Sequence, residues 1–114
     1  MIPLTNGRAD ASVTVHGVPV FGLPVDAETR CVHWHSAVDV VCIRFVCCGR
    51  VYPCHDCHLA VADHSPQVWP AGDDGVEALL CGVCGRWMTI GEYTLVSACP
   101  GCAAPFNPGC RVHR

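Results

Sequence analysis

Lysine is absent from all 114 residues, and the seven basic side chains are arginines scattered along the chain. Without a basic run or stripe there is no surface to track phosphates, and the formal charge of −3 argues against nucleic acid as a partner. The opening residues, MIPLTNGRADASVTV, lack the basic start and apolar run of a secretory signal, so a cytoplasmic setting is expected. No apolar stretch approaches the roughly eighteen residues of a membrane span. Repeats and low-complexity tracts are missing too. No carboxylate stands in a motif resembling a general base. The expectation is a chain that is not an enzyme and has no membrane, nucleic acid or small-molecule substrate, which leaves a protein partner.

Cysteine, by contrast, is plentiful. Eleven in 114 residues is close to a tenth of the chain, the range of proteins stapled by disulfides or metals. In a reducing compartment disulfides rarely persist, and an odd cysteine count beside seven histidines favours metal. The length allows one domain and not two full hydrophobic cores. With so little core, bound metal is expected to carry much of the folding free energy, on the order of 10 kcal/mol per structural site.

Residues 1–14 read as a flexible terminus. From Ser12 to Val20 small and β-branched residues alternate around Gly17, the pattern of a strand with a bend, and a turn follows near Gly22-Leu23-Pro24. VDVVCIRFV, residues 38–46, is the strongest strand, with Val41, Ile43 and Phe45 on one face and Cys42 on the other. DCHLAVADH fits a helical turn or two beginning inside a metal site. SPQVWPAGDDG, residues 65–75, reads as a surface linker between a lobe of 15–64 and a lobe of 76–113. In the second lobe 76–81 and 86–89 can pair as a hairpin, and Thr89-Ile-Gly-Glu92 has capping-box spacing for a short helix.

The stretch FVCCGRVYPCHDCHLA, residues 45–60, holds four cysteines and two histidines in sixteen positions. With their neighbours, the candidate ligands run Cys31-x-His33, Cys47-Cys48, Cys54-x-x-Cys57-His58, His64, Cys81-x-x-Cys84 and Cys99-x-x-Cys102. Those twelve residues fill three tetrahedral four-ligand zinc sites with none over. Cys81, Cys84, Cys99 and Cys102 form the clearest set: two knuckles fourteen residues apart, each aiming two thiolates at one ion. A thioredoxin-like redox pair is the competing reading, but that motif follows a strand in a βαβ unit. Cys54 and Cys57 form another knuckle, and His58, following directly, points elsewhere. Cys47 and Cys48 can serve one ion together or two separately. The simplest closure joins Cys31, His33, Cys54 and Cys57 as site 1, and Cys47, Cys48, His58 and His64 as site 2, so that the chain visits the two sites alternately.

The run DAETRCVHWHSAVDVVCIRFVCCGRVYPCHDCHLAVADH, followed by LCGVCGRWMTIGEY, CPGC and FNPGC, resembles the CHY-type zinc finger over about residues 15–113. Ordered spacings carry the likeness as well as residue types. The resemblance implies three zinc ions per chain, in agreement with the twelve-ligand count, and the pattern of elements and ligands predicts a small metal-stabilised fold, an irregular α+β arrangement of short strands and helical turns organised around three zinc sites in two lobes. Small stand-alone members of that family include bacterial proteins and a mitochondrial intermembrane-space helper of the small Tim proteins, implicated in zinc handling; a longer relative carries the finger ahead of a RING in a ubiquitin ligase. Trp34 departs from the tyrosine usual after Cys-x-His, a change the metal site should tolerate.

Cys42, Cys110, His16, His35, His55 and His113 are left over, with Cys42 read as a small buried hydrophobe and Cys110-x-x-His113 as ligand spacing short of partners. Asp39, Arg44, Tyr52 and Glu92 read as surface or supporting groups, Asp39 as an orienter of a ligand histidine, and Trp69 and Trp87 as covers for a thin core. Two functions fit: a zinc-stabilised module presenting a rigid surface to a protein, or a zinc or thiol chaperone that exchanges metal with its clients. A catalytic zinc, which keeps an open position, fits four-ligand sets poorly.

Overall fold

The computed structural model describes residues 13–107 except 24, 25, 27, 66, 68 and 71. Cys110 and His113, Pro24 of the expected turn, and residues 1–12 lie outside them.

The alternating N-terminal stretch is two strands rather than one bent strand. β1 (Val13–Val15) and β2 (Val18–Val20) pair antiparallel across His16 and Gly17, whose φ values of 50° and 81° are those of a two-residue hairpin turn. Val13 and Thr14, expected to belong to the terminus, lie in β1. Next come β3 (Val41–Arg44), β4 (Val51–Tyr52), α1 (His55–Val61), β5 (Glu77–Cys81), β6 (Trp87–Thr89) and α2 (Ile90–Thr94). The strands form one six-stranded sheet in the order β1-β2-β4-β3-β5-β6, antiparallel except where β2 meets β4.

Pleating explains the two cores. On β3, Val41 and Ile43 join Phe45, Tyr52, Leu79, Met88 and Tyr93 in the larger cluster. Cys42 points the other way, fully buried among Val15, Val20, Val51 and Leu80. β3 is shorter than its apolar run because the chain before it turns: Asp39 accepts from the Ser36 amide at 2.9 Å and hydroxyl at 2.6 Å, and from Asn107 Nδ2 at 2.8 Å. Asp39 thus ties the C-terminal segment to the loop before β3 instead of orienting a ligand histidine.

Both helices are short and start on side-chain caps. Cys54 caps α1, its sulfur accepting from the Cys57 amide at 3.3 Å. Thr89 and Glu92 close the capping box on α2 that their spacing predicts. Between the helices, the 65–75 connection is anchored where Trp69 Nε1 donates to the Arg44 carbonyl at 2.8 Å. The stretches on either side share the sheet: Val41 faces Cys81 and Ile43 faces Leu79 across β3 and β5. Among the described residues no helix is long and apolar enough to cross a membrane.

Candidate metal centres

Three clusters bring together Cys31, His33, Cys54 and Cys57; Cys47, Cys48, His58 and His64; and Cys81, Cys84, Cys99 and Cys102. Within each, the four ligand atoms all lie within 4.8 Å of one another. Thiolates held tetrahedrally about 2.3 Å from one zinc stand roughly 3.8 Å apart, and a thiolate and an imidazole nitrogen slightly closer. The observed spacings sit at that edge length. A disulfide, with sulfurs about 2.05 Å apart, is a different arrangement. All ten described cysteines are free.

The first cluster gathers around the start of α1. Cys31 Sγ lies 3.6 Å from Cys54 Sγ, while His33 Nδ1 lies 3.8, 3.6 and 3.4 Å from the sulfurs of Cys31, Cys54 and Cys57. The amides of Trp34, Cys57 and Leu23 aim at the sulfurs of Cys31, Cys54 and Cys57 at 3.3, 3.3 and 3.4 Å, which favours thiolate in each case. Hydrogen bonds from Cys54 and Cys57 hold the Cys31 thiol down at about 2, and the same contact with Cys31 raises Cys54 and pushes Cys57 up to about 11. A divalent cation is what lets all three ionise together.

The second cluster lies on the other side of the same helix turn. His58 Nε2 stands 3.4 Å from Cys47 Sγ, 4.0 Å from Cys48 Sγ and 3.2 Å from His64 Nε2. The two adjacent thiols converge because the chain reverses immediately after them: Gly49 takes a φ of 71°, and its amide donates to the Phe45 carbonyl at 2.8 Å. His58 is wholly buried, stacked on Phe45 at 4.4 Å between centroids and set edge-on to Tyr52 at 4.8 Å. Burial, then the neighbouring His64, lowers its pKa and so favours the neutral imidazole that a metal requires. His64 is more open, and its Nδ1 meets Asp63 Oδ1 at 2.9 Å, the carboxylate-on-histidine arrangement that orients a ligand ring.

The third cluster is built from two turns. Cys81 ends β5 and Cys84 follows in the turn to β6; Cys99 and Cys102 bracket a turn beyond α2. Cys81 and Cys102 sulfurs are 3.8 Å apart, those of Cys84 and Cys99 3.6 Å. Burial pushes the Cys81 thiol up to about 12, whereas Cys84 and Cys102 are exposed. The Gly101 amide points at Cys99 Sγ at 3.2 Å.

His16 was not among the expected functional residues. From the β1–β2 turn it reaches the back of the third cluster, its Nε2 lying 3.1 Å from the Gly82 carbonyl and 3.0 Å from that of Val83. Gly85, at a φ of 83°, leaves the room: a Cβ there would meet the His16 ring at 2.8 Å. No local spacing announces a contact across 66 residues; only the sheet brings the two turns together. Among the described residues His35 and His55 enter no cluster, His55 packing instead against Phe45 at 5.0 Å.

The sequence profile of the CHY zinc finger family matches residues 31–107. The chain is 43% identical over 98 residues to the Helper of Tim protein 13 of Saccharomyces cerevisiae, covering 82% of this chain and 84% of that one. It is 39% identical over 94 residues to the Helper of Tim protein 13 of Kluyveromyces lactis, covering 82% of each. An uncharacterised protein of Schizosaccharomyces pombe is 38% identical over 94 residues, 82% of this chain and 83% of the other. No solved structure matches significantly.

Proposed function

This chain belongs to the CHY zinc finger family and binds zinc, and from that premise we propose that it is a structural interaction module, three zinc ions bracing a surface for a protein partner. In this reading Cys31, His33, Cys54 and Cys57 hold the first ion. Cys47, Cys48, His58 and His64 hold the second, and Cys81, Cys84, Cys99 and Cys102 the third. The observation that carries it is the closure of every cluster at four donors, all within 4.8 Å of one another. Four protein ligands leave zinc no position for substrate, so the role proposed is not catalytic. The ions supply cross-links that a core this small does not.

The yeast relatives bear the name of helpers of a Tim protein, which supports a protein as the partner. They also favour the mitochondrial intermembrane space implied by the family resemblance over the expected cytoplasmic setting. A second reading, a zinc or thiol chaperone, draws on one feature: Cys84 and Cys102 of the third cluster are exposed, open to a client's thiols.

Native mass spectrometry with isotopically distinct zinc tests both. Three ions per chain, all exchanging slowly, and tighter binding of a recombinant Tim protein by the zinc-loaded form than by the stripped form are the results expected of a module. Rapid exchange confined to the third site, with transfer to a client, would favour the chaperone. One zinc or none in a metal-replete preparation would refute the assignment.

A further inference from the structure

The sheet carries a cleft that the metal clusters do not use. It has a volume of about 220 Å³ and is lined chiefly by Val18, Phe21, Arg44, Arg50, Val51 and Trp87. Pleating places Arg44 two residues from Cys42 on β3, so it leaves the sheet on the same side as the smaller core, where Val18 and Trp87 also pack. Among the described residues no carboxylate lines this space.

Its two cations are braced in the same way. The Arg44 guanidinium carbon lies 4.7 Å from the centre of the Trp87 ring, and that of Arg50 lies 5.0 Å from the centre of Phe21. Arg44 is fixed further by donating from one Nη to the Glu77 carbonyl. Other arginines on this acidic chain are matched by carboxylates: Arg30 by Asp26 and Glu28, Arg86 by Glu92. Among the described residues Arg44 has no such partner. A guanidinium offers five donors in a planar fork suited to a carboxylate, and one resting on a ring surrenders less freedom when it binds.

We propose that this cleft docks a short acidic segment of a partner protein, an apolar side chain entering the space and an adjacent carboxylate taken by Arg44 and Arg50. The proposal deepens the interaction-module reading and rests on it. Charge complementarity selects the acidic sequence, and the apolar lining selects a peptide with a hydrophobic residue beside its carboxylate. A nucleic acid fits poorly: the chain has a net charge of −3, and its clustered thiolates add to the repulsion of a polyanion.

The test uses the ¹⁵N-labelled, zinc-loaded full chain and three fluorescein-labelled decapeptides, alternating Leu-Asp, Leu-Lys and Ser-Asp. The Leu-Asp peptide should shift the Trp87 indole signal and the amides of Val18 and Val51, and bind less well as salt rises. Arg50→Glu should weaken it tenfold or more with zinc content unchanged. Arg44→Gln, which keeps a donor for the Glu77 carbonyl, should do the same and guards against a folding defect in the first variant. Equal binding of the Leu-Lys peptide, unaltered affinity in both variants, no binding of Leu-Asp, or signals placing residues 1–12 in the cleft of the free protein would each overturn the proposal. Peptide-induced shifts confined to another face would also overturn it while leaving the module reading intact; that reading stands or falls on zinc exchange and Tim binding.

Discussion

Cys57 and His58 are neighbours in the chain, yet their ligand atoms belong to different clusters: Cys57 Sγ lies 3.4 Å from His33 Nδ1, and His58 Nε2 lies 3.4 Å from Cys47 Sγ. Successive side chains on a helix point about 100° apart, so one turn of α1 serves two centres. His58→Ala should therefore cost one zinc of three and leave the ion at Cys57 in place. It also empties a fully buried position between Phe45 and Tyr52, which should cost about 3 kcal/mol or more. His64→Ala, altering a more exposed ring, should lose the same ion with much less packing damage. Retention of all three zinc ions by both variants, measured by native mass spectrometry, would refute the cluster assignment.

Cys99→Ser should remove one ion and leave two. The loss will not stay local, because Cys81 of the same cluster faces Val41 across β3 and β5, two strands of one sheet. The melting temperature of the whole chain should fall by about 10 °C or more, in a single transition. Two separate transitions would show that the sheet does not couple the two halves.

His16→Ala removes a ring that bridges the carbonyls of Gly82 and Val83, a donation that requires its proton on Nε2. The expected cost is about 1 kcal/mol. Zinc should then pass to a chelator faster from the third cluster than in the unaltered protein, with the other two unchanged. Equal acceleration at all three would reduce His16 to a general stabiliser.

The Asp39 carboxyl gives a pH dependence of definite sign. Burial pushes its pKa up, but hydrogen bonds from Ser36 and Asn107 outweigh that and hold it below the ordinary 3.8. Its stabilisation is thus complete above that ordinary value and is lost as pH falls through the lowered one. Asp39→Ala should cost about 2 kcal/mol at neutral pH, and the gap to the unaltered protein should close in strong acid. A gap independent of pH would mean that the carboxylate charge is not what matters.

The three Cys-x-x-Cys pairs could be read from the sequence because each is a local turn encoded within four residues, whereas the membership of the first two clusters rested on sorting the remaining donors into sets of four. The Thr89–Glu92 box is equally local. What stayed hidden was long-range. The hairpin at His16 and Gly17 looked like a bend, since alternation alone does not say whether a strand continues or reverses. Pairing of β3 with β5, 38 residues apart at Cys42 and Leu80, joins stretches that a Pro- and Gly-rich connection seemed to separate. The contact of His16 with the third cluster follows from that sheet and has no local signature.

Alternation of the first two clusters along the chain has a consequence for proteolysis. With both ions bound, every peptide bond between Cys31 and His64 lies inside at least one metal-closed loop. A nick anywhere in that span leaves both fragments tethered, and a protease would cut the backbone without releasing a piece. The bonds between His64 and Cys81 lie inside no such loop. A cut there leaves the pieces held only by the hydrogen bonds and packing of the sheet, so a digest resolved under native and then chelating conditions would tell the two kinds of seam apart.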